Sequence, residues 1–116
     1  MKRDWQDYIA DILNAIQEVE EFTIGMNFEA FRADKKTINA VIRSLEVLGE
    51  AAKHIPEDIR EQYPDIPWKR MAGTRDKLIH EYSGIDLETV WTVIKEELPP
   101  LKTLVEKALS DMEKDG

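Results

Sequence analysis

Residues Pro67-Trp68-Lys69-Arg70-Met71-Ala72-Gly73-Thr74-Arg75-Asp76-Lys77-Leu78-Ile79-His80-Glu81-Tyr82 place an arginine where a core side chain belongs. At about 100° per residue, Trp68, Met71, Ala72, Leu78, Ile79 and Tyr82 fall on one apolar stripe of a helix, and Arg75 projects from its middle. A guanidinium keeps its charge, and burying it unpaired costs several kcal/mol. That face is therefore expected not to close into an ordinary core but to open on a partner, a cleft or an anionic ligand.

The rest of the chain repeats the helical spacing. Trp5, Tyr8, Ile9, Ile12, Leu13, Ile16 and Val19 recur every three or four residues behind Asp4, a suitable N-cap. Gly25 closes that segment, and Asn27 caps a short turn carrying Phe28 and Phe31. Asp34 caps a longer helix whose inward residues run from Ile38 to Ala52, stopped by Pro56. Glu57–Gln62 reads as a connecting helix, and Pro67 suits the first position of the motif helix. Ser83-Gly84 ends it. Asp86 then caps a segment with Leu87, Val90, Trp91, Ile94 and Leu98 inward, and Pro99-Pro100 is expected to break it before Leu101, Leu104, Val105 and Ala108. The fold class is all-α: an antiparallel bundle of four to five helices in a single domain, 1–116, with 110–116 expected to fray.

The composition suits a soluble domain. Of 116 residues, 42% are hydrophobic and 34% charged, enough for a core without staples. With no cysteine, disulfides, thiolate metal sites and thiol nucleophiles are excluded. His54 and His80 show no ligand spacing, so no metal and no cofactor is expected. Signal-peptide and membrane-span patterns are missing, which points to the cytoplasm. The net charge of −8 argues against coating a duplex. Lys69, Arg70, Arg75 and Lys77, with only Asp76 against them, nonetheless make a local positive site that could take a short stretch of RNA or an acidic partner.

Arg75, four intervening residues, His80, one residue and Tyr82 form an Arg-x4-His-x-Tyr motif that resembles HEPN-domain proteins, specifically the HepT toxins. The resemblance extends to Leu48-Gly49-Glu50-Ala51-Ala52, Pro67-Trp68, Ile85-Asp86, Val90-Trp91 and Leu98-Pro99, and covers roughly residues 4–109. It implies a HEPN-like homodimer formed through the motif helix and a metal-independent endoribonuclease with Arg75 and His80 catalytic. It also implies a cognate MntA-like nucleotidyltransferase antitoxin, able to join a hetero-oligomer, that places AMP on Tyr82. Asp76 stands where many members carry asparagine, in a supporting role, and Lys69, Arg70 and Lys77 are candidate RNA-backbone contacts.

The residue types fit metal-free RNA cleavage. Histidine titrates near neutrality, and arginine offers a planar fork for phosphate oxygens. The spacing is awkward, because five residues put Arg75 and His80 about 140° apart on an ideal helix. Arg75 reaches round, the helix start is irregular, or a second protomer completes the site. Duller readings stay open beside these: a surface histidine, an Arg75 paired with Glu46 or Glu50, a non-catalytic interaction module, or a nucleotide-binding subunit. Glu20-Glu21 and Glu96-Glu97 read as solvated faces, Trp5 and Trp91 as core, and His54 as a partner of its helix dipole.

Overall fold

The computed structural model describes residues 4–80 and 86–115, with side chains over 4–74 and 86–114. Seven α-helices follow one another: α1 (Trp5–Thr23), α2 (Phe28–Ala33), α3 (Lys35–Lys53), α4 (Glu57–Gln62), α5 (Trp68–His80), α6 (Leu87–Thr92) and α7 (Leu98–Asp115). A π-helical turn, Val93–Glu97, joins the last two. The described residues contain no strand.

Local hydrogen bonds explain most helix starts. The Asn27 side chain accepts from the Ala30 N–H at 2.9 Å, Asp34 from the Thr37 N–H at 3.1 Å, and Asp86 from the Glu88 N–H at 3.0 Å. Each occupies an amide that the first helical turn leaves without a partner. At α1 the Asp7 carboxylate accepts the Asp4 N–H at 3.4 Å. Between α1 and α2 the chain reverses at Gly25, whose φ of 76° is costly for any residue with a Cβ.

Asp34 gives a pH-dependent test. The Thr37 backbone N–H, and then the Thr37 hydroxyl, hold its carboxyl below the ordinary range. A depressed folded-state pKa stabilises above the unfolded value, and that contribution is lost as pH falls through the folded one. Asp34→Ala is therefore expected to lower the thermal midpoint at neutral pH. The gap from the parent should narrow as pH falls below the ordinary aspartate value of about 3.9. Melts at neutral pH and below that value check this, and an equal gap at both would mean the cap owes nothing to ionisation.

The helices assemble around α3, which packs against both α1 and α5, while α7 packs on α1. Tyr8 stacks on His54 with ring centroids 4.5 Å apart, and the Ser44 hydroxyl donates to Glu18 at 3.0 Å, so α1 and α3 run antiparallel. Lys102 meets Glu20 at 2.9 Å, bringing the start of α7 to the end of α1. Ile9, Ile12, Ile16 and Val19 of α1, Val41 and Leu45 of α3, and Val105 and Ala108 of α7 fill the core. Among the described residues no buried side-chain polar atom lacks a partner, and no helix is long and apolar enough to cross a membrane. Trp5 and Trp91 are half-buried and pack on the edge of the core, where the sequence suggested its interior.

One expectation about the C-terminal third does not hold. Pro99-Pro100 does not break the helix. The Leu98 N–H reaches the Val93 carbonyl, five residues back, so a π-helical turn carries the chain into the prolines. Both prolines then fall in the first turn of α7, where a missing N–H costs nothing. Beyond residue 110 the helix continues through Asp115, and Met112 extends the buried side of Leu101, Val105 and Ala108.

Candidate active site

The motif helix is fixed at its beginning. Pro67 precedes α5 rather than opening it, and its carbonyl accepts the Met71 N–H at 3.0 Å. Trp68 and Met71 are buried, and the Trp68 indole N–H donates to the Tyr63 carbonyl at 3.1 Å. One connection back, the Arg60 guanidinium donates to the carbonyls of Ala52 and Ile55 at 2.9 and 3.0 Å, tying α4 to the end of α3. The entry of α5 is thus set by hydrogen bonds to main chain and by an indole in the core.

From that anchor α5 is α-helical from Trp68 through His80. This removes one of the sequence-level options, an irregular helix start between Arg75 and His80. Their Cα atoms sit about 140° apart around the axis and about 7.5 Å apart along it. Tyr82 lies outside the described residues, as do Ser83-Gly84 and the side chains of Arg75, Asp76, Lys77 and His80. An ion pair from Arg75 to Glu46 or Glu50 falls outside them for the same reason. Glu50 lies 3.5 Å from His54 Nε2 at the end of α3.

The basic residues expected on RNA divide. Lys69 is exposed on the first turn of α5. Arg70 is exposed too, but its guanidinium meets Glu97 at 2.5 Å. Glu97 therefore leaves the role of a solvated face and links the π-helical turn to the motif helix, whereas Glu96 stays exposed. Nothing local in the sequence signals that pairing, because it depends on the extra residue in the π turn and on how the bundle closes. Thr74, also unflagged by the sequence, donates its hydroxyl back to the Arg70 carbonyl at 2.9 Å.

Beside the Arg70–Glu97 pair lies a cavity of about 50 Å³ lined by Leu45, Leu48, Met71, Thr74, Leu98 and Leu101. It has room for a water molecule or two and none for a nucleotide. A second, open depression is lined by Gln17, Glu20, Glu21, Ile24 and Lys102. Its acidic wall disfavours phosphate. Among the described residues no group of three His, Asp or Glu is placed to hold a metal ion. Among the described residues the start of α5 carries exposed Lys69 and Arg70 beside buried Trp68 and Met71.

The family model described as ribonuclease HepT-like matches residues 12–108. The chain is 52% identical to a Thermococcus cleftensis protein named a probable ribonuclease HepT, over 92% of this chain and 97% of that one. Two Methanocaldococcus jannaschii proteins, named as candidate RNases, are 50% and 49% identical over 97% of this chain, and over 97% and 93% of their own lengths. No solved structure matches significantly.

Proposed function

The chain belongs to the ribonuclease HepT-like family, and from that membership we propose that it is a metal-independent endoribonuclease acting as a homodimer, with Arg75 and His80 at the scissile phosphate. The observation that carries the reading is the uninterrupted helix from Trp68 to His80. It sets the backbone positions of the two motif residues on different sides of the helix, which supports a dyad completed by a second copy over one formed by Arg75 reaching round. A two-fold axis beside α5 brings two arginines and two histidines into one cleft.

In that cleft one His80 takes the proton from the ribose 2′-hydroxyl as its oxygen attacks phosphorus. The other gives a proton to the departing 5′-oxygen. The P–O5′ bond breaks, leaving a 2′,3′-cyclic phosphate and a free 5′-hydroxyl. Arg75 faces the charge that accumulates on the phosphorane oxygens, the kind of stabilisation worth several kcal/mol of barrier. Asp76 orients one of these groups by hydrogen bonding, and Lys69 and Lys77 meet neighbouring phosphates. Arg70 joins them when RNA displaces Glu97.

Regulation belongs to the same reading. A cytoplasmic nucleotidyltransferase antitoxin of the MntA type transfers AMP to the Tyr82 hydroxyl, adding a phosphate charge and an adenosine beside Arg75 that block the cleft.

The deciding experiment is cleavage of a mixed RNA pool by unmodified protein in EDTA. Cutting with cyclic-phosphate ends is expected. A pure, unmodified dimer that leaves RNA intact would move the assignment to an interaction module. Tyr82→Phe should keep cutting and accept no AMP from the nucleotidyltransferase and ATP, read by intact mass. A modified Tyr82→Phe protein would put the acceptor elsewhere.

A further inference from the structure

Gly73 lies in the interior of α5, past its first turn, and is exposed. A glycine there weakens a helix relative to alanine, because its backbone gains more freedom on unfolding. Two reasons that normally excuse such a glycine do not apply. Its φ is not positive, since Gly25 is the described glycine that has one. Among the described residues, a Cβ built on Gly73 meets no atom of another element within 4 Å, so their packing does not demand a bare backbone either. What remains is close approach by something outside the chain.

The neighbours of Gly73 say what that is. Lys69, four residues earlier, is exposed. Lys77 and His80, four and seven residues later, follow on the same side of the helix by register. A second copy docked over Gly73 would set these lysines against their own counterparts. A polyanion would satisfy them.

We infer that Gly73 is a subsite at which the RNA sugar-phosphate backbone rests directly on the main chain of α5, between Lys69 and Lys77. The identity of the polymer rests on the nuclease reading above. At 1.5 Å per residue, Gly73 lies about 10 Å along the axis from His80. It therefore touches a nucleotide beyond the one being cut, and it governs how the strand is held more than how fast the bond breaks. Phosphate contacts of this kind fix register without reading sequence.

The test compares the parent with Gly73→Ala, Gly73→Leu and Lys69→Ala. Alanine and leucine are strong helix formers, so both glycine variants should melt at or above the parent midpoint. Binding is read by fluorescence anisotropy on a short 2′-O-methyl RNA, which cannot be cleaved, and turnover is read separately on ordinary RNA. Gly73→Leu is expected to bind about tenfold more weakly, with Gly73→Ala between it and the parent, and the loss should fall on KM more than on kcat. Lys69→Ala should reduce the slope of log affinity against log salt by about 0.7.

If the parent binds but does not cut, and Gly73→Leu loses binding, the nuclease reading fails and the subsite stands. If the parent cuts and Gly73→Leu binds as tightly as the parent, the subsite alone falls. Conversion of Gly73→Leu from dimer to monomer in sedimentation would put a second copy over Gly73 and overturn the inference, as would a parent that binds no RNA.

Discussion

Alanine at His80 is expected to reduce RNA cleavage by at least about a hundredfold, the lower end of what positioned acid–base groups supply, and to leave the bundle folded. The first half follows from the reaction. Without an imidazole, nothing of suitable pKa is left on the motif to take the 2′-hydroxyl proton or to protonate the leaving oxygen. The second half follows from the anchoring of α5. Its beginning is held independently of His80, by buried Trp68 and Met71 and by the indole bond to the Tyr63 carbonyl. Alanine is also the best helix former. Initial rates on RNA in EDTA, beside circular dichroism melts, check both. Cleavage within tenfold of the parent would take His80 out of the chemistry.

A mixing experiment extends this to the shared cleft. Arg75→Ala and His80→Ala should each be inactive alone. If the site spans two protomers, mixed dimers bring an intact Arg75 to an intact His80 and recover part of the activity. A site confined to one protomer recovers none.

The second large effect concerns stability. Phe31→Ala should cost about 3–5 kcal/mol, as expected for deleting a fully buried ring. Phe31 is completely buried, its ring centroid is 5.2 Å from that of Trp91, and it joins short α2 to α6. Phe28 approaches the same indole at 6.3 Å, and the Lys95 ammonium lies 5.0 Å from its centre. A helix as short as α2 is marginal by itself and persists through such packing. Against a total stability of about 5–15 kcal/mol, the loss is a large fraction. It should appear as a midpoint lower by about 10–20 °C and a matching fall in urea midpoint. A cost under about 1 kcal/mol would mean that this ring is not part of the cooperative core.

The fold was legible where its causes are local. Asn27, Asp34 and Asp86 could be read as caps because each bonds an amide two or three residues away. The inward stripes of α1 and α3 were readable because one period describes each helix. Legibility failed at Pro99-Pro100, where the outcome depends on a widened turn. At the site, residue type made Arg75 and His80 candidates and the family resemblance named them as a pair. The bond between Arg70 and Glu97 could not, since twenty-six intervening residues have to fold before the two meet. The continuity of α5 narrowed the geometric options, and a dimeric cleft is a property of two chains that one chain's periodicity does not contain.

The π-helical turn at Val93–Glu97 also acts as a phase adjuster. An α-helix advances about 100° with each residue, so the residue accommodated by this turn sets the rotational position of everything from Leu98 onward. Val90 and Ile94 before it, and Leu101, Val105, Ala108 and Met112 after it, are all buried. With one residue fewer, α7 would arrive turned by more than a quarter of a revolution, moving its buried side away from α1. For this bundle, then, a single-residue deletion between 93 and 97 is a change of helix phase, and one to which the hydrophobicity of the substituted side chains is irrelevant.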